Sequence, residues 1–225
     1  MCLHNRVKRT SLLGLVGFVL MICACKHATS ESDVVAYLQA HPEARSQIAD
    51  QVNGTIANAT IIKRGDQPLT LLGPTLNVGD VAPDVTIADP KLSPVKLGSL
   101  RGKLVVLSVV PSIDTHVCES QTHHVSGLID QMPPGTEVYT VSRDLPFAQG
   151  RFLEEAQTKT KFGSDYHGGA FGSAFGIEVK ESGLLARSIW VIGADGKIAY
   201  RELVADQSQE PDYDAMMAAV NKAAT

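Results

Sequence analysis

The run LVVLSVV, from Leu104 to Val110, constrains the fold of this chain more than any other segment. It is apolar and largely β-branched, it is flanked by Gly102 and Pro111, and it has no alternating polar face. Such a run reads as a strand buried on both sides, inside a sheet that other elements cover above and below. Pro111 ends it, and the loop PSIDTHV leads into CESQTHHVSGLIDQM. There Val117, Gln121, Val125, Leu128 and Ile129 follow helical spacing, so Cys118 falls in the first turn of a helix with Thr115 three residues before it.

That position has chemical consequences. Free backbone N–H groups and the positive end of the helix dipole stabilise an anion at a helix N-terminus. A thiol with an ordinary pKa of about 8.5 is only a few per cent ionised at pH 7. A helix start with a nearby guanidinium is expected to leave it mostly thiolate, a gain of about tenfold in nucleophile. Thr115 is placed to donate to the sulfur or to a bound oxygen, and Pro111 to shield the sulfur from water. The competing reading is a buried structural thiol, the ordinary fate of a free cysteine; the polar loop ahead of Cys118 speaks against it.

The amino terminus sets the compartment. Arg6, Lys8 and Arg9 form a basic region, and Leu12 to Ile22 (LLGLVGFVLMI) an apolar one, followed by Cys23, Ala24 and Cys25. This pattern reads as an export signal over residues 1–24. The uncharged run from Thr10 to Cys25 is shorter than the roughly 20 residues that span a bilayer comfortably. The sequence ICAC resembles a bacterial lipobox, in which Cys25 is lipidated and becomes the first mature residue, against the alternative of ordinary cleavage nearby. Of the chain's 4 cysteines, Cys118 alone then remains as a thiol, and no disulfide framework is expected. One free cysteine in a compartment that favours disulfides suggests a reactive thiol or an intermolecular pair. Removing residues 1–24 takes away three positive and no negative charges and moves the formal net charge from −4 to −7, which argues against nucleic-acid binding.

Residues 25–58 read as a helical spacer, with Ser30 or Ser32 capping a helix that carries Val34, Val35 and Leu38, and Pro42 opening another with Ile48 and Val52. Residues 59–225 read as one α/β domain. Thr60 to Lys63 and Pro68 to Leu72 flank the turn RGDQ as an amino-terminal hairpin. Strands are expected at Val85 to Ala88, at the Leu104 run and at Glu137 to Ser142, and helices from Pro146 to about Gln157 and around Ala174 and Phe175. Ser188 to Ile192 and Ile198 to Glu202 flank ADGK as a second hairpin, and a closing helix runs from Pro211 to about Ala223 with Met216, Met217 and Val220 inward. Alternating strands and helices with a final hairpin suit the thioredoxin fold.

From about Thr60 to Val220 the chain resembles the thiol peroxidases of the peroxiredoxin superfamily, through PSIDTHVC, then DLPFAQGRF from Asp144, then GLLARSIWVI around Arg187, then EPDYDA from Glu210. The resemblance implies a thioredoxin-like (peroxiredoxin) fold with an amino-terminal β-hairpin and an antioxidant oxidoreductase that consumes hydroperoxides. It implies Cys118 as the attacking thiolate, Thr115 and Arg187 completing the site, and Pro111 covering the sulfur. A guanidinium keeps its charge and can hold both the thiolate and the departing oxygen; the plainer reading of Arg187 is a surface ion pair. The chain departs from the family where a resolving cysteine usually follows the arginine and phenylalanine of DLPFAQ-x-RF: Arg151 and Phe152 precede Leu153. A one-cysteine cycle is therefore expected. Cys118 sulfenic acid would be reduced by an external thiol, thioredoxin-like or of low molecular weight, or would pair with a second copy of the chain.

His116, His123 and His124 raise a rival, a tethered thioredoxin-fold protein that delivers copper, as Sco-type proteins do. Those proteins resemble C-x-x-x-C, and here the second position is Thr122. Adjacent His123 and His124 also point in different directions on a helix, so no metal and no cofactor are expected. A redox sensor acting through Cys118 is a further alternative. Arg143 is either a pocket residue or a charged loop residue, Asp114 is a candidate pocket residue, and Phe147 and Phe152 either pack in the core or line an apolar entrance.

Overall fold

The computed structural model describes residues 62–224. The expected export signal, Cys25 and the spacer over 25–58 lie outside the described residues.

Strands β1 (Ile62–Arg64) and β2 (Gln67–Leu69) form the amino-terminal hairpin, with Ile62 opposite Leu69 and Gly65 at φ +59° in its turn. The second arm is shorter than expected. Leu71–Leu72 (β3) leaves the hairpin and pairs with Glu178–Val179 (β9). The cause lies at Thr70, whose N–H donates to Glu181 at 2.9 Å and whose carbonyl accepts from Lys180 N–H at 2.9 Å.

The remaining strands are β4 (Thr86–Ala88), β5 (Pro94–Lys96), β6 (Val105–Val109), β7 (Glu137–Ser142), β8 (Lys161–Ser164), β10 (Ser188–Ile192) and β11 (Ile198–Leu203). They make one seven-stranded sheet in the order β11-β10-β6-β7-β8-β4-β5. β6, β7 and β8 run parallel and the other pairings are antiparallel. The helices are α1 (His116–Leu128), α2 (Pro146–Ala156), α3 (Ala170–Phe175) and α4 (Tyr213–Ala223). This is the thioredoxin-like α/β arrangement expected from the sequence.

Central β6 explains why its sequence has no polar face. Val105, Leu107 and Val109 enter a core with Phe171, Phe175 and Trp190, while Val106 on the other face joins Val125 of α1 and Met216 and Val220 of α4. Each such side chain, fully buried, contributes about 1.5 to 3 kcal/mol. Strands β5 and β8 were not anticipated, because PVK and KFGS lack both alternation and an apolar run. At Gly163 in β8 an added Cβ would lie 2.2 Å from Ile87 Cδ1, so the buried Ile87 side chain packed over the strand, rather than β propensity, favours glycine there. The closing helix starts at Tyr213 rather than Pro211, because the Asp212 carboxylate accepts the Ala215 N–H at 2.9 Å and caps it.

Arg143 hydrogen-bonds to groups outside the Cys118 loop and serves the fold. Its guanidinium donates to Glu178 at 2.9 Å, to Asp165 at 3.4 Å and to the Gly183 carbonyl, tying the end of β7 to β9 and the loop after it. The hydrogen bond from Arg143 holds the Glu178 carboxyl below its ordinary value of 4.5, against the opposing effect of burial. A depressed carboxyl contributes stability that is fully present above the unfolded value and lost as pH falls through the folded one. Glu178→Gln is expected to cost about 1 to 2 kcal/mol at pH 7. In urea unfolding, the gap between wild type and variant should narrow as pH falls from about 5 towards 2.

Candidate active site

The loop from Pro111 to Thr115, the first turn of α1 and the distant segment carrying Arg187 meet at Cys118. The sulfur belongs to the third residue of α1 and is fully buried. Thr115 is the N-cap of that helix, at φ −126° and ψ 142°, yet its hydroxyl caps no backbone N–H. It has two acceptors for its single proton, Cys118 Sγ at 2.9 Å and the Ser112 carbonyl at 3.4 Å, and the sulfur is the nearer. Arg187, just ahead of β10, places one terminal guanidinium nitrogen 3.3 Å from the same sulfur. Pro111 is buried where β6 gives way to the loop.

Arg187 is 2 % exposed, and its guanidinium is hydrogen-bonded to oxygens of the surrounding chain. It donates to Gln121 Oε1 at 2.6 Å, to the Gln207 carbonyl at 3.1 Å and to the Val117 carbonyl at 3.5 Å. None of these is a carboxylate. A buried cation is costly unless its donors are satisfied or opposite charge compensates it; these oxygens take up most of its donors, the Glu210 carboxylate feels its charge, and one terminal nitrogen is left facing Cys118 Sγ.

The side chains that hold this arrangement were not identified from the sequence. Gln121 is fully buried on the inner face of α1; its amide donates to Ser108 Oγ at 2.9 Å and to the Val109 carbonyl at 3.3 Å, leaving Oε1 for Arg187. A glutamine at an inward helical position was the available signal. Gln207 accepts the Arg187 N–H at Oε1 and donates to the Val204 carbonyl at 2.6 Å; nothing in the loop ADQSQE announces that role. Asp144 fixes the loop before Cys118, accepting from Ser112 Oγ and from the Ile113 N–H, both at 2.8 Å. Asp114 is exposed.

Leu153 is partly buried, together with Ala148 and Phe152, against the cluster of Val110, Ile113, Cys118 and Phe162. Phe152 meets Phe162 edge-on at 5.8 Å, whereas Phe147 is 62 % exposed. The histidines do not converge on the sulfur. His124 Nδ1 is 2.6 Å from Glu210, which also accepts from Tyr213, His123 lies 4.0 Å from Glu119, and His116 is exposed. Among the described residues no cluster of three or more His, Cys, Asp or Glu side chains is placed to hold a metal ion.

The Redoxin family profile matches residues 77–217. A thiol peroxidase of Halalkalibacterium halodurans is 42% identical over 170 residues, covering 73% of this chain and 99% of that protein. A thiol peroxidase of Bacillus subtilis is 40% identical over 148 residues, covering 65% of this chain and 88% of the relative. Among solved structures, a peroxiredoxin-like protein from Aquifex aeolicus superposes with a TM-score of 0.69 at 34% identity, covering 73% of this chain and 98% of that one.

Proposed function

The chain belongs to the Redoxin family and is a peroxiredoxin-type oxidoreductase, and on that premise we propose that it reduces hydrogen peroxide and alkyl hydroperoxides through Cys118 in a one-cysteine cycle. The supporting observation is the buried Arg187 guanidinium, held by the Gln121 side chain and the Gln207 carbonyl, 3.3 Å from Cys118 Sγ. In the first step the thiolate attacks one peroxide oxygen; an S–O bond forms, the O–O bond breaks, and the alkoxide or hydroxide leaves and takes a proton. Cys118 becomes a sulfenic acid. Arg187 and the Thr115 hydroxyl are both aimed at the place where negative charge moves from sulfur to oxygen, so they stabilise the transition state. Pro111 closes the head of the loop beside them.

Resolution is the second half of the proposal. Cys118 is the only cysteine among the described residues, and Leu153 packs where the family's second thiol is expected. An external thiol then returns the sulfenic acid to thiolate. After one equivalent of peroxide, intact mass should show one added oxygen that a sulfenic-acid reagent captures, or a reducible Cys118-linked dimer. An internal disulfide from Cys118 to Cys25 would overturn the one-cysteine cycle and the lipid assignment together. Steady turnover with an added thiol separates a peroxidase from a redox sensor.

We further propose that the protein is exported and held at the membrane by lipid on Cys25, with residues 25–58 as spacer and 59–225 as the catalytic domain. The basic start, the short apolar run and ICAC support this reading. Cys25→Ser should release the protein into the soluble exported fraction or leave an unprocessed precursor. Wild-type protein that is soluble and carries no acyl mass would refute it.

A further inference from the structure

The surface beside Cys118 bears on which thiol can complete the cycle, an inference that rests on the peroxidase reading above. Thr115, whose hydroxyl touches Sγ, forms part of the wall of an open depression. Ile113 and Phe152 supply apolar wall, and Asp114, Glu119 and Glu155 supply three carboxylates against the imidazoles of His116 and His123. No lysine or arginine lines it. Even with both imidazoles protonated the wall keeps a negative balance. Arg187, the cation of the site, is buried. Cys118 does not itself line the depression; Thr115 joins the two, so a reductant held there sits among carboxylates one side chain away from the sulfur.

We propose that this wall selects thiols that are uncharged or cationic beside their sulfur and disfavours thiols that carry a carboxylate. The chemistry has two stages. The first thiol attacks the sulfenic sulfur, forming an S–S bond and releasing water. A second thiol attacks the mixed disulfide, forming the external disulfide and returning Cys118 to its thiolate. Two thiols are oxidised for each peroxide reduced. Charge on the incoming molecule acts on the first stage through distances of a few ångströms, where exposed charges still interact and added salt weakens them. The buried sulfur favours small probes for testing this.

The experiment uses the purified protein after one equivalent of hydrogen peroxide, with oxidation of Cys118 verified by mass. It is then mixed with 2-aminoethanethiol, 2-mercaptoethanol or 3-mercaptopropionate. Each rate of thiol recovery is divided by that thiol's rate with a neutral small disulfide, which removes differences in ionisation and nucleophilicity. The cationic thiol should exceed the anionic one by about tenfold at low salt, with the neutral one between, and the span should fall to about twofold near 0.5 M salt. In the double variant Glu119→Gln, Glu155→Gln the span should also narrow. Corrected rates that ignore charge, or a span that survives both salt and the double variant, would overturn the proposal. Failure of Cys118 to oxidise at the first stage would overturn the peroxidase cycle itself, and this selection with it.

Discussion

Cys118→Ser protein is expected to consume peroxide no faster than buffer does, while keeping its fold. Serine matches cysteine in shape, so the buried site stays filled, and its hydroxyl still has Thr115 and the Arg187 guanidinium as partners in place of the sulfur. The loss is chemical. An alcohol is scarcely ionised at neutral pH, so the nucleophile disappears. It also cannot be oxidised to the counterpart of a sulfenic acid, so a trace of alkoxide would give no cycle. Peroxide remaining over time, with thiol in excess, reads the effect; thermal unfolding within a few degrees of wild type verifies the fold. Undiminished consumption by this variant would remove Cys118 from the reaction.

Arg187→Met should slow oxidation of Cys118 by about 10²- to 10³-fold, the scale seen when a preorganised donor to a developing anion is removed. Methionine roughly preserves length and fills the buried space without charge or donors. The variant leaves Gln121 Oε1 and the Gln207 carbonyl without their donor, which costs about 1 to 3 kcal/mol for each group left unpaired, although removing a buried cation offsets part of it. Stability and rate must therefore be measured on the same preparation. Arg187→Lys separates charge from shape, because an ammonium keeps the charge but cannot meet Gln121, Gln207 and Sγ at once; it should fall between wild type and Arg187→Met. A second-order rate constant within about twofold of wild type in Arg187→Met would take the guanidinium out of the chemistry.

The parts of the fold legible in the sequence were those where local pattern and tertiary demand agree. LVVLSVV reads as a doubly buried strand because no face of it is polar, and EVYTVS and SIWVI share enough of that character for their bounds to match β7 and β10. The strands that escaped notice, PVK and KFGS, are short and sit towards one edge of the sheet, where neighbours rather than composition impose the extended backbone. Leu71 and Leu72 were legible as strand, but their partner was not. The choice between continuing the first hairpin and pairing with β9 turns on Thr70 meeting Lys180 and Glu181, more than a hundred residues away.

The candidate site divides in the same way. Cys118 and Thr115 are three residues apart at a strand-to-helix junction, so chain geometry over one turn brings them together. Arg187 came through resemblance, since nothing local links it to a residue 69 positions earlier. The roles of Gln121, Asp144 and Gln207 depend on which groups the packed sheet places opposite them. Their residue types are common on solvated surfaces, and only burial makes each hydrogen bond obligatory. The sequence by itself determined a central apolar strand, a cysteine at the following helix start and a leucine at position 153, because these depend on residue identity and on periods of a few residues. Packing is what sets a buried guanidinium, hydrogen-bonded to amide and carbonyl oxygens, beside the sulfur, because that proximity exists only once β10, α1 and the loop carrying Gln207 come together.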